Sequence, residues 1–549
     1  MNASSSSAAP SQEPEKAGSQ TKSTGVVSIA ILCSRVLGLV RDQLLNGLFG
    51  ASFTGIFNAA FRTPNMLRDL FAEGALSTAF VTTFSKKIKT ESDEAAWALG
   101  RKMLALSLSF MTVIALAGIA LAPWLVRLLN PGWEDPRIID LCTLLVRIMY
   151  PFIVMVSVTA LVMGMLNSKR VFFIPAVASA FFNLGCIVGG LAMAWLVDGE
   201  FRETWKVTER SLAGFAMGTL IGGALQLAVQ LPALRRVGFR FGLDSDWKDE
   251  GVRQVLRLMW PSLIAASGTQ VAVMLNSIFA SFTPGQERAL AWLGNAQRLQ
   301  QLPLGLFGVA VATVTLPMLS KLATEGVTPA FRGALAKGIR LVLFLTVPSA
   351  IGMGLLGREI VSVLFEHGKF TAADVAQTAG PLQAYAFGLV FYACIKVVQP
   401  AFYTIDRRFI PMMVSLGVIV FTASVNSFTV FVLKWDHTAL AWATAIGLML
   451  NFATLYLCMR KFAGGLETRL LAAGLVRLGL AVAVMLAVCL AAKFTVLADW
   501  EQQGLVLRVA MLLGTIGISA GAYFLMAHWL RVEEAREFAG IVTRRLRGR

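Results

Sequence analysis

Charge is what this 549-residue chain has least of. Only 15% of its residues are Asp, Glu, Lys or Arg, against about 25% in a soluble globular chain. A deficit of that size over this length excludes a soluble enzyme and a disordered chain. Cysteine is scarce as well: six residues, Cys33, Cys142, Cys186, Cys394, Cys458 and Cys489, all in apolar runs and none in a CxxC pair. That pattern excludes a disulfide scaffold and reads as small buried hydrophobes. The three histidines, His367, His437 and His528, are scattered, so local spacing assembles no metal site. There is no P-loop, no HExxH and no nucleophile elbow. No metal or cofactor is expected.

What is present is apolar surface. Hydrophobic residues make up 56% of the chain, and mean hydropathy is +0.67. One membrane crossing needs about 20 apolar residues, and the chain has room for about 14 of them with short loops. The expected fold class is therefore an all-α polytopic membrane protein. Residues 1–24 lack an apolar h-region and read as a disordered tail, not a signal peptide.

The net charge of +17 could suggest nucleic acid, but the basic residues sit in loops between apolar runs, where they report orientation. On one side, counting residues that flank the spans, there are 31 Lys and Arg; on the other there are 10. The positive-inside rule then places both termini in the cytoplasm. The basic segment after Arg531 reads as a contact to anionic lipid.

Eight basic residues remain inside spans. Arg147 and Arg508 lie near span ends, where they can snorkel to the interface. Arg35, Arg41, Arg62, Arg68, Arg298 and Lys396 lie deeper. A cation at the bilayer centre costs about 2.5–3.5 kcal/mol on insertion scales, so the four arginines between Arg35 and Arg68 would cost roughly 10 kcal/mol facing lipid. They must face protein or water. Three acids share these spans: Asp42, Asp69 and Glu73. Asp42 follows Arg35 by seven residues and shares its helix face, whereas neighbours such as Arg41 and Asp42 point apart and need not pair. Two readings follow: an ion-pair network that locks helices together, or a cationic cavity with an excess of about three positive charges. The excess favours the cavity. Arginine stays charged in low dielectric and offers a fork matched to phosphate, so the cavity suits an anionic substrate.

The chain also repeats itself. Asn46-Gly-Leu-Phe-Gly-Ala-Ser-Phe53 is echoed by Asn276-Ser-Ile-Phe-Ala-Ser-Phe282, Asn58-Ala-Ala-Phe-Arg62 by Asn295-Ala-Gln-Arg298, Phe71 by Phe307, and Ser85-Lys86 by Ser320-Lys321. The offset covers six helices, which makes the two halves parallel repeats. Spans 2 (54–84) and 8 (289–319) are overlong and interrupted, by Pro64 and Gly74 and by Gly294, Pro303, Gly305, Gly308 and Pro317. Interrupted helices in corresponding positions point to a transport site between the halves, lined by spans 1, 2, 7 and 8. The organisation expected is a tail (1–24), an N-terminal lobe (25–240), a C-terminal lobe (241–465), spans 13 and 14 (466–531) and a basic tail (532–549).

The run Ser34-Arg35-Val36-Leu37-Gly38-Leu39-Val40-Arg41-Asp42, with Phe49-Gly50-Ala51, Pro64-Asn65-Met66-Leu67-Arg68 and Phe71-Ala72-Glu73-Gly74-Ala75, resembles the MurJ (MviN) lipid II flippases. Gln226 to Pro232, Ile278 to Phe282, Gly368-Lys369-Phe370-Thr371 and Lys396 before Phe402-Tyr403 extend the likeness over spans 1 to 12. The resemblance implies the MOP exporter fold: two pseudo-symmetric six-helix lobes plus two C-terminal helices, working by alternating access. It implies a transporter, not an enzyme, whose substrate is undecaprenyl-pyrophosphate-linked disaccharide-pentapeptide and whose partners include membrane lipids and other cell-wall synthesis proteins. It implies substrate-binding roles for Arg35, Arg41, Arg68 and Arg298, carries Glu73 over as the acid of its motif, and implies a lipid-tail groove at spans 13 and 14. Arg62 and Lys396 join the expected binding set, with Asp42, Asp69 and Glu73 as gating or ion-pair residues. Three positions depart from the family pattern: Gly55 and Gln297 where relatives often carry Asp, and Asp69 where a basic residue is common. Spans 7 and 11 hold no Asp or Glu, so the carboxylate cation site of some relatives is not expected here. The alternatives are a flippase for another polyprenyl-linked oligosaccharide, a MATE-like exporter, which would want carboxylates in its cavity, and a polytopic enzyme, which would need an acid–base pair at one membrane face.

Overall fold

The structure is a computed structural model, and it describes residues 17–466 and 468–536. Those residues form helices and connecting turns, with no strand among them. The first helix, α1 (Ala17–Leu67), starts inside the stretch expected to be a disordered tail, which corrects that boundary. Residues 1–16 and 537–549 lie outside the described residues, and with them most of both expected tails.

α1 breaks once, at Gly50, where φ is 74° and ψ 176°. A side chain would be strained there, so glycine lets one helix end and the next begin without a loop. The second part continues through a π-helical turn, Arg68–Ala75, into α2 (Leu76–Thr90). Next come α3 (Asp93–Ala120), a short α4 (Ala122–Leu129), then α5 (Pro136–Met149) and α6 (Phe152–Ser168), which together make one crossing. α7 (Phe173–Val197), a short α8 (Gly199–Thr204) and α9 (Glu209–Arg236) complete the first half. The second half begins with α10 (Glu250–Ser281). α11 (Glu287–Pro303) follows and runs through a second π-helical turn, Leu304–Gly308, into α12 (Val309–Ala323). Then come α13 (Pro329–Leu355), a short α14 (Gly357–Phe365), α15 (Ala372–Thr404), α16 (Phe409–Ser427) and α17 (Thr438–Phe462). α18 (Thr468–Phe494) and α19 (Leu505–Trp529) close the chain.

Twelve segments among the described residues are long and apolar enough to cross a membrane. The first, Ala30–Thr90, has 61 residues and breaks at Gly50, so it counts as two. α10, with 32 residues, is the remaining crossing. The helices therefore agree with the roughly fourteen crossings read from hydropathy. The outward faces carry the apolar side chains: Val506 is 85% exposed and Val314 76%. A water-soluble chain would not tolerate such a surface; a lipid-embedded one requires it.

The two halves pack alike. In the first, α1 lies on α7, α7 on α9, α9 on α6 and α6 on α2. In the second, α10 lies on α16, α16 on α17, α17 on α15 and α15 on α12. The short helices α4 and α14 fall at matching points, and so do the π-turns at Arg68–Ala75 and Leu304–Gly308. Spans 2 and 8 are thus interrupted at equivalent places, as their prolines and glycines suggest. One departure from symmetry stands out. The N-terminal part of α10 leaves its own half: Val252, Val255 and Met259 join the apolar core formed by α2, α3 and α6. Lys102 of α3 clasps Asp246 and Asp249 just ahead of it, both at 2.9 Å. Burial pushes the Asp249 carboxyl up, but Lys102 and the Gly251 and Val252 amides outweigh it and hold it below the usual carboxylate range. α18 and α19 dock on α13 and α14. Tyr523 donates to the Phe344 carbonyl at 2.6 Å, and Arg508, expected to snorkel, pairs with Glu366 at 3.1 Å.

Candidate functional site

The two halves meet along α1 and α11. At the centre of that seam Asp42 sits between two arginines. Arg41 donates to its Oδ1 from Nη2 at 2.9 Å and from Nε at 3.2 Å. From the other half, Arg298 brings Nε to within 2.6 Å of Oδ2. The expectation that Arg41 and Asp42 point apart is therefore corrected: a guanidinium on a long stem folds back onto the neighbouring carboxylate even though the two Cα–Cβ bonds diverge. Arg68 does the same with Asp69, at 2.9 Å, and Gln270 of α10 reaches the other Asp69 oxygen at 3.4 Å.

Arg298 is the residue that opens this cluster. Its side chain is 45% exposed although it lies midway along a crossing, whereas Arg41 and Asp42 expose 12% and 11%. Arg298 is also close enough to Arg41 and Arg68 to feel both charges. Among the described residues, Arg41, Arg68 and Arg298 thus stand close together around the Asp42 and Asp69 carboxylates. Arg35 is exposed and lies against Gly305 in the second π-turn, where a Cβ would overlap its Nη1. Gly305 therefore matters as a seat for Arg35 as well as an interruption of span 8.

Arg62 lies deeper and faces the Tyr385 phenol of α15, with no ion pair among the described residues. Lys396 stands over the Tyr392 ring at 4.9 Å, one turn away on α15. No contact among the described residues joins it to the arginine cluster. The Glu73 side chain lies outside the described residues.

One end of the seam is closed by backbone against backbone. The Lys369 amide donates to the Gly47 carbonyl at 2.8 Å, and a Cβ on Gly368 would overlap that same oxygen. Ser52 donates to Glu287 at 2.8 Å, and the Glu287 carbonyl fills the place a Gly55 side chain would need. The Gly132 amide donates to Ser281 at 3.1 Å. Between this closure and the arginines, Asn46 and Asn295, both buried, exchange side-chain hydrogen bonds of 3.0 and 3.1 Å. Sequence reasoning saw Asn46 and Asn295 only as repeat markers and Gly368-Lys369 only as part of a family motif. Their pairing across 249 positions left no local signal. The absent aspartate at Gly55 now has a physical reason, since no side chain fits there in this state. In the second half, Asn426 donates to Asn276 at 2.8 Å and Asn276 to Thr444 at 3.2 Å, a neutral network where a carboxylate cation site would have needed acids.

The family described as lipid II flippase MurJ matches residues 45–511. A probable lipid II flippase MurJ of Vibrio cholerae serotype O1 is 33% identical over 514 residues, covering 91% of this chain and 94% of that relative. The lipid II flippase MurJ of Burkholderia cenocepacia is 35% identical over 441 residues, covering 79% and 83%. Among solved structures, a lipid II flippase MurJ in an inward closed conformation matches with a TM-score of 0.71 at 23% identity, over 91% of this chain and 98% of that one. An inward-facing MATE transporter of the MOP superfamily matches with a TM-score of 0.56 at 17% identity, over 81% and 95%. The two structural likenesses establish the MOP fold, and with the matches in sequence the conclusion is that this chain belongs to the MurJ family of lipid II flippases.

Proposed function

We propose that this protein is a lipid II flippase. It carries undecaprenyl-pyrophosphate-linked disaccharide-pentapeptide from the cytoplasmic to the periplasmic leaflet of the inner membrane by alternating access. The observation that carries the reading is Arg298: a half-exposed guanidinium from one repeat, 2.6 Å from Asp42 of the other, at the seam where interrupted spans meet. A pyrophosphate entering there competes with Asp42 for Arg298 and finds Arg41, Arg68 and Arg35 within the same cleft. Arginine's planar fork suits two phosphate oxygens at once. Arg62 and Lys396 line the deeper path. Binding thus loosens a link between the halves, which is what a carrier that rocks about a central site requires. The names of the relatives support the substrate, and the shortage of free carboxylates in the cleft disfavours a cation exporter of the same fold.

The charge asymmetry of the loops supports cytoplasmic termini. It puts the backbone-closed end, with Gly47, Ser52, Glu287 and Gly368, on the periplasmic side. The test is a leaflet assay. Cells depleted of their own flippase receive this protein as the only candidate, and an enzyme added outside reports whether lipid-linked precursor becomes accessible. Access that depends on this protein and disappears in Arg298→Ala at normal protein level is the expected result. Precursor that stays inside despite good expression overturns the substrate assignment.

A further inference from the structure

A cleft of about 730 Å³ opens between the α10–α11 turn and the end of α16. It lies on the backbone-closed face, away from the arginine cluster. Ligand pockets typically fall between about 300 and 1,000 Å³, so its size suits a small oligosaccharide or peptide. Its walls are aromatic. Phe282 and Phe431 meet edge to face at 5.0 Å, and Trp435 stands 55% exposed. Trp292 is held rigid behind them by a hydrogen bond from its Nε1 to Asp374 at 3.0 Å. Flat aromatic faces of this kind offer stacking surfaces of low conformational cost.

Two cations edge the cleft. Lys434 lines the cleft and is exposed. Arg288 is 57% exposed and only 4.0 Å from Glu287, whose carboxylate already accepts from Ser52. The backbone is strained on both sides: Gln286 has φ 42° and Lys434 φ 52°. Non-glycine residues held in the left-handed region cost free energy and gather at ligand sites. Stacking surfaces beside one exposed lysine and an arginine in only a long contact with Glu287 suit a ligand with sugar rings and carboxylates.

We propose that this cleft binds the anionic sugar–peptide head group on the periplasmic face, as a second station after the central cavity. The proposal rests on the function proposed above for the identity of its ligand. Its wall residue Glu287 also closes the seam through Ser52 and Gly55, so a ligand bound there acts on the same closure that must open for release.

The test uses the full chain in nanodiscs and a soluble probe, the disaccharide-pentapeptide without pyrophosphate or prenyl chain. Titration calorimetry should show binding that weakens about tenfold or more in Trp435→Ala and in the double variant Arg288→Gln/Lys434→Gln. Arg298→Ala should bind the probe as the parent does, because the probe carries no phosphate. All three side chains altered at the cleft are exposed, so unchanged thermal midpoints can be checked alongside. Parent protein that does not bind the probe, or cleft variants that bind it unchanged, overturn the proposal. Flipping by the same proteins reconstituted in proteoliposomes separates the two readings. A parent that flips lipid II with a cleft indifferent to the probe sinks the second station alone, while a parent that binds at the cleft but does not flip sinks the flippase reading.

Discussion

Arg41, Asp42 and Arg298 share one charge balance but not one role. Asp42 is the common partner of two guanidinium groups and is nearly buried. Removing one member of a buried pair costs about 3–5 kcal/mol, because its partner is left uncompensated. Asp42→Ala should therefore lower the thermal midpoint by several degrees and reduce protein level. Arg298 is half exposed, and Asp42 keeps Arg41 when it is gone. Arg298→Ala should keep a midpoint within about a degree of the parent while flipping falls more than tenfold. Thermal-shift and flipping measurements on both variants check the contrast, which fails if both lose stability alike. A second residue sets a pH dependence. His437 is fully buried just before α17; its Nε2 donates to the Gln377 carbonyl at 2.9 Å and its Nδ1 has no partner among the described residues. Burial holds this imidazole below its ordinary pKa, outweighing the Gln377 hydrogen bond and the nearby Asp436 charge. An unfolded histidine titrates near about 6.5. Below that pH the unfolded chain takes up the proton more readily than the folded one, so stability present above it is lost on acidification. His437→Gln should flatten the fall in thermal midpoint between about pH 7 and pH 5. Equal slopes in parent and variant would remove His437 from the account.

The elements that decide the state are the two parts of α1 and the start of α11. Gly55 and Gly368 allow backbone to approach backbone across the seam, and a Cβ at either position would overlap a carbonyl oxygen. Gly55→Ala should therefore push the backbone-closed end open. The readout is thiol labelling from outside at a cysteine placed at Ser52, run with and without the alanine; labelling no faster with it would mean that the closure yields elsewhere. Hydropathy was enough to read the crossings, because lipid leaves every outward face apolar. The interruptions in spans 2 and 8 were legible from Pro64, Pro303, Gly305 and Gly308, and the π-turns fall beside them. The positive φ at Gly50, the Asn46–Asn295 exchange and the seat of Arg35 on Gly305 were not legible. Each depends on two elements far apart in sequence meeting at a particular rotation, and a one-dimensional pattern carries no information about that. The crossing of α10 into the first half escaped for the same reason: its apolar face is satisfied equally well by either lobe until Lys102 and the Asp246–Asp249 pair choose one.

At the scale of the whole molecule the question is what turns a symmetric pair of bundles into a directional carrier. The symmetry is broken where it matters. Asn46 of the first half bonds across the seam to Asn295, whereas its counterpart Asn276 turns inward to Asn426 and Thr444. That second network is neutral and its members bond one another, so it offers no carboxylate for a coupling cation. The embedded charge is cationic instead: five arginines and Lys396 against three carboxylates. On the function proposed above, a carrier whose empty cavity is positive would be drawn toward the cytoplasm by an inside-negative potential, and a bound pyrophosphate would cancel that pull. One net charge crossing half of a field of about 150 mV gains about 1.7 kcal/mol, which corresponds to more than tenfold in rate. We therefore expect flipping in proteoliposomes to slow by about that factor when the potential is clamped to zero, and to be indifferent to replacing sodium with potassium or choline. The converse result, a rate that ignores the potential and follows sodium, would mean that the Asn276–Asn426–Thr444 network binds a cation without a carboxylate and that coupling lies in the second lobe.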